Sequence, residues 1–134
     1  MIPNARNAYA ANSIATASPG RLLVMLYDRL ALDVRRAGVA QDAGDHDAAR
    51  TQLLHAQEIV TELHSTLKVD LWEGGPALSG LYAYLTKRLI EANIGRDRAA
   101  TAECQTIIDD LAGAWREALL TGAAGPNVPV VASA

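Results

Sequence analysis

Apolar positions along this chain recur with helical spacing in four separate stretches, and each stretch is bounded by residues that start or stop helices. From Pro19 to about Ala40, Leu22, Leu23, Leu26, Tyr27, Leu30, Val34 and Ala37 fall on one broad face at 100° per residue. A second stretch begins near Asp45. There Ala49, Leu53, Ala56, Val60, Leu63 and Leu67 alternate spacings of four and three, the seam of a helical bundle. It stops before Glu73-Gly74-Gly75-Pro76, the strongest breaker in the chain. A third face carries Leu78, Leu81, Tyr82, Leu85, Leu89 and Ala92 and ends at Gly95, which predicts a left-handed cap there. The fourth, capped by Asp97, aligns Cys104, Ile107, Ile108, Leu111, Trp115 and Ala118.

The punctuation supports these limits. Ser18 offers a side-chain oxygen to an orphan N–H of the first turn, and Pro19 fits a first helical position where its missing N–H has no partner to lose. Gln41 to Gly44 forms a polar, Gly-containing connection. Strand signals are weak, since β-branched runs are short and lack period-two alternation. Short connections favour antiparallel neighbours. The reading is an all-α, antiparallel up-and-down four-helix bundle spanning residues 19–121. Residues 1–18 read as an N-terminal arm or extra helix. Residues 122–134, Gly, Ala, Pro, Val and Ser with no charge, read as a disordered tail.

Apolar residues also occur where the core is not. Met25 and Leu32 lie nearly opposite the first helix's core face. Ala83, Ile90 and Ile94 form a stripe roughly 130° to 170° from the face centred on Leu85. A helix with a second apolar spot requires a second partner. These stripes predict a receptor for an amphipathic helix, with Tyr9 and Ile14 on the arm as plugs and Asn93 at the border of the third-helix stripe. A contact between copies of the chain explains the same stripes and makes a homodimer a second expectation.

Composition narrows the partner. With 134 residues the chain is one domain, and its net charge of −3 offers no basic field for nucleic acid or an anionic membrane. No run of about 18 apolar residues is present, and the first residues carry no apolar core of a secretory signal. One cysteine excludes an intrachain disulfide and fits a reducing compartment, so a cytoplasmic protein is expected.

Chemistry is absent from the pattern. His46, His55 and His64 share one helix, but the nine-residue spacing turns each by about 180° from the last, and His46 and His64 stand about 27 Å apart. They share no metal, and no Glu-x-x-His occurs. Cys104 sits mid-face among Ile107, Ile108 and Leu111, the setting of an inert buried thiol. No G-x-S-x-G elbow or phosphate loop is present. No catalytic, metal or cofactor residue is expected, and the chain does not read as an enzyme. A phosphotransfer bundle using His64 is the signalling alternative; Lys68 follows it by four residues, but Val69 stands where that pattern wants Gly.

The segment Tyr9, Asn12, Ile14, Thr16, Ala17, Ser18, Pro19, Leu22, Met25, Leu26, Tyr27 and Asp28 resembles the flagellar secretion chaperone family called FliS. Further blocks of resemblance lie at Ala56 to Leu63, at Leu81 to Tyr84 through Arg88-Leu89 to Ala92-Asn93, and at Trp115-Arg116. Gly20-Arg21 replaces the acidic residues usual after Ser-Pro, Arg29 replaces a usual Gly, and no Phe occurs. The resemblance implies a non-enzymatic cytosolic chaperone. Its client would be the C-terminal helical segment of flagellin, kept from premature polymerisation, and the flagellar export gate is a further candidate partner. It implies too that the arm covers part of the client surface, which brings Asn12 into the candidate set of Tyr9, Asn12, Ile14, Met25, Leu32, Ile90, Asn93 and Ile94.

Overall fold

A computed structural model describes residues 18–122, and the arm residues Tyr9, Asn12 and Ile14 and the tail beyond Gly122 lie outside that range. Four α-helices follow in order: α1 (Pro19–Asp42), α2 (His46–Thr66), α3 (Gly75–Ile94) and α4 (Arg98–Thr121). A 3₁₀ turn (Val69–Leu71) links α2 to α3, and the described residues contain no strand. α1 packs against α2 and α4, and α3 packs against the same two helices. The result is the expected antiparallel four-helix bundle, with α1 and α3 at diagonal corners.

Local chemistry sets the helix ends. The Ser18 hydroxyl accepts from the Arg21 N–H at 3.2 Å, and Asp45 and Asp97 accept from Ala48 and Ala100 at 3.1 Å. Each removes one orphan donor from a first turn. At the far end of α1, Gly44 takes φ +73°, and the Gly44 and Asp45 N–H groups donate to Gln41 and Ala40 carbonyls. The α3 terminus repeats this pattern with a shift. Gly95 stays right-handed at φ −87°, and it is Arg96 that takes φ +49° while Arg96 and Asp97 donate back to Asn93 and Ala92. Gly95 is therefore not the left-handed cap its identity predicts. The two hydrogen bonds fix the left-handed residue one position before Asp97, whichever side chain stands there.

The core is continuous through all four helices. Tyr27, Leu30, Val34, Ala56, Val60, Leu85, Leu89, Ile108 and Leu111 are all fully excluded from solvent. Burying each of the larger aliphatic side chains contributes about 1.5–3 kcal/mol. At the centre the Tyr27 and Tyr82 hydroxyls meet at 2.6 Å across the diagonal. Trp72 and Trp115 pack at the core edge with ring centroids 5.7 Å apart. The buried Trp115 N–H has no hydrogen-bond partner among the described residues, although it lies near enough to Tyr27 to favour that group's ionised form slightly.

Among the described residues, one acidic side chain sits inside. Asp33 is completely buried on α1, where it accepts from Arg29 Nε at 3.1 Å and bonds His55 Nδ1 on α2. The pair ties α1 to α2. Exposed ion pairs Asp28–Arg116 and Asp42–Arg98 join α1 to α4, and each contributes at most about 1 kcal/mol. Gly75 is required by a close approach: a Cβ there would stand 2.4 Å from the Val69 carbonyl oxygen.

Candidate functional site

The off-core stripes emerge on the surface. Met25 on α1 is 51 % exposed and Leu32 is half-buried; on α3, Ile90 is 39 % and Ile94 79 % exposed, with Ala83 exposed on the same stripe. Sequence reasoning passed over Val39, which is 64 % exposed. Its signal was available, since Met25, Leu32 and Val39 are spaced by seven and so return to nearly one line on the helix. That line runs for about 21 Å.

Because α1 and α3 occupy diagonal corners, their outward stripes face away from each other. A single straight helix cannot touch both. A partner engaging Met25, Leu32 and Val39 as well as Ile90 and Ile94 must pass around α2 or α4.

Asn93 and Ile94 also line a second feature, a cavity of about 200 Å³ at the end of the bundle where α1 meets α2 and α3 meets α4. Its wall includes Gln41, His46, Asp47, Arg50 and Arg96. Gln41 donates its Nε2 to the Ala92 carbonyl at 3.3 Å, and its buried Oε1 has no partner. Neither Arg50 nor Arg96 pairs with a carboxylate, and the Asn93 amide makes no hydrogen bond, among the described residues. The left-handed backbone at Arg96 costs roughly 1–2 kcal/mol, a penalty Gly would not carry. Nothing in the pattern of apolar positions pointed to this cluster, because its members come from both interhelical turns and only the fold joins them.

Sites for chemistry do not assemble. No group of three His, Cys, Asp or Glu side chains converges among the described residues. His46 lines the cavity, His55 is held by Asp33, and His64 shares a 2.9 Å hydrogen bond with Ser79 through Nε2. The His64 ring lies 5.7 Å from the Tyr82 ring and is half-buried, so it is not the free, exposed nucleophile of a phosphotransfer domain. Burial pushes the Cys104 thiol up to about 12, which keeps it protonated and unreactive. On the α3–α4 side, the Tyr84 hydroxyl and then Arg88 hold the Glu103 carboxyl below its ordinary range. This is a structural cluster, with Arg88 bridging Glu103 at 2.7 Å and Glu91 at 2.6 Å.

The fold is thus a four-helix bundle with a complete core and exposed apolar stripes outside it. A sequence model of the family described as flagellar protein FliS matches residues 2–121, and the chain belongs to that family. It is 35% identical over 118 residues to the flagellar secretion chaperone FliS of Bacillus subtilis (strain 168), covering 88% of each chain. The Salmonella typhimurium chaperone of that name is 32% identical over 111 residues, covering 79% of this chain and 80% of its own. That of Escherichia coli (strain K12) is 28% identical over 115 residues, covering 82% of both. The protein is thus a flagellar secretion chaperone by family and not an enzyme. No helix among the described residues is long and apolar enough to cross a membrane.

Proposed function

We propose that this chain binds the C-terminal helical segment of flagellin in the cytoplasm and keeps it from polymerising before export. The observation that supports this most is the pair of exposed apolar stripes on diagonal helices, outside a core that is already complete. A client laid along both buries surface the bundle does not need for its own stability. The ordering entropy of the client holds affinity below what the contact area alone suggests. Tyr9, Asn12 and Ile14 then act as an intramolecular cover over part of this surface, displaced when the client arrives. Delivery to the flagellar export gate completes the role.

Calorimetric titration of the full chain with a synthetic flagellin C-terminal segment tests the reading, alongside sedimentation of the chain alone. Saturable binding that abolishes any self-association supports the chaperone. A stable dimer indifferent to the segment would assign the stripes to a self-interface instead. Removing residues 1–15 is expected to leave the bundle folded while increasing hydrophobic-dye binding; unchanged dye binding would refute the cover.

A further inference from the structure

The stripe on α3 leads directly into the polar cavity, because Ile94 belongs to both. We propose that this cavity receives a carboxylate of the bound client chain, an inference that rests on the chaperone reading above. Arg50 on α2 and Arg96 in the α3–α4 turn supply two guanidinium groups without intrachain carboxylate partners among the described residues. Asp47 shares the wall, leaving the two arginines in excess over one acid. Planar, forked donors of this kind match a carboxylate in geometry as well as charge.

The neutral groups complete the recognition. Gln41 and Asn93 line the same cavity; the buried Gln41 Oε1 has no donor, and the Asn93 amide makes no hydrogen bond among the described residues. A peptide carries an N–H close to its carboxylate, which the Asn93 amide oxygen can accept while the arginines hold the carboxylate. The volume of about 200 Å³ lies below that of pockets for whole drug-sized molecules and suits the end or one side chain of a longer ligand. Capture of a chain-end carboxylate is an established mode of peptide recognition.

Arg96 gives an independent argument. The equivalent position in the other turn, Gly44, is a glycine with φ +73°, whereas Arg96 adopts φ +49° despite its side chain. Its side chain makes no hydrogen bond or ion pair within the described bundle that would compensate. The turn's hydrogen bonds set this conformation, and an arginine that lines the cavity where glycine would be unstrained is consistent with a use for its charge there.

The carboxylate comes either from the client's chain end or from an Asp or Glu side chain, and three probes separate these. The flagellin C-terminal segment is titrated as the free acid, as its C-terminal amide, and as a free acid with its Asp and Glu changed to Asn and Gln. Each is measured against the full chain and against an Arg50→Gln/Arg96→Gly variant, with Arg96→Gly alone followed by thermal melting. One of the two neutralised probes is expected to bind the unaltered chain at least tenfold more weakly than the parent. The double variant loses that discrimination, and Arg96→Gly melts several degrees higher. If the unaltered chain binds all three probes equally, the carboxylate site is refuted and the chaperone reading stands. If it does not bind the parent segment, the chaperone reading itself falls and this proposal with it.

Discussion

The hydroxyls of Tyr27 and Tyr82 lie 2.6 Å apart in the middle of the bundle, the one on α1 and the other on α3. The diagonal helices therefore meet through a polar contact inside the core. Burial raises both phenols, Tyr82 to about 12 and Tyr27 above its ordinary value as well. Burial likewise raises Cys104 to about 12.

These shifts set an alkaline limit on stability. The unfolded chain releases phenolic and thiol protons from about pH 9 to 10, while the folded chain retains them. The folded state then binds more protons, so stability falls as pH rises. The contribution is intact below about pH 9 and is lost as pH passes the folded values near 12. Melting temperature is expected to decline through this window, and a Tyr27→Phe/Tyr82→Phe variant is expected to decline less steeply. Tyr27→Phe alone leaves one buried hydroxyl without its partner and costs about 1–3 kcal/mol at neutral pH. Chemical denaturation at pH 7 and pH 10 measures both effects.

Three glycines separate steric need from incidental placement. Gly75→Ala drives a methyl group against the Val69 backbone carbonyl and is expected to destabilise by about 1–3 kcal/mol. Gly80 and Gly113 lie inside α3 and α4, where a Cβ meets nothing within 4 Å. Alanine at either position is expected to stabilise by about 0.5–1 kcal/mol, since it reduces the freedom of the unfolded chain. Denaturant midpoints of the three variants check the opposite signs.

Asp33→Ala removes the one acid from the core and strips both Arg29 and His55 of their partner. A loss of about 1–3 kcal/mol is expected, and double-mutant cycles with His55→Ala should show coupling well above that of an exposed pair. Additive single effects would show that the pair does not tie α1 to α2.

Features that depend on neighbouring residues were legible in the sequence. Ser18 and Asp97 were readable as caps, and Asp45 as the start of α2, because a cap is completed within three residues. The four core faces followed from spacing alone. Arg96 was not readable as the left-handed residue, because Gly95 beside it is the better candidate on intrinsic preference and only the turn's hydrogen bonds move the position by one. Asp33 stood visibly inside the apolar arc of α1, between Leu30 and Val34, but its reason lies on another helix at His55. The stripes were likewise visible as local patterns, whereas their placement on diagonal corners depends on the packing order of all four helices. The cavity was beyond reach for the same cause, since Gln41, Arg50 and Arg96 come together only at the bundle end.

The central claim is that apolar surface outside the core receives flagellin, and the double change Ile90→Glu/Ile94→Glu tests it most directly. Both residues are exposed on α3, so the free protein should keep its stability within about 0.5 kcal/mol. The same carboxylates placed in an apolar contact are unpaired charges removed from water, which is far costlier than at the surface. Calorimetric titration with the flagellin C-terminal segment, read beside a melt of the free variant, should show an unchanged melting temperature and binding weakened at least about tenfold, or roughly 1.4 kcal/mol. Undiminished binding by a folded variant would contradict the account.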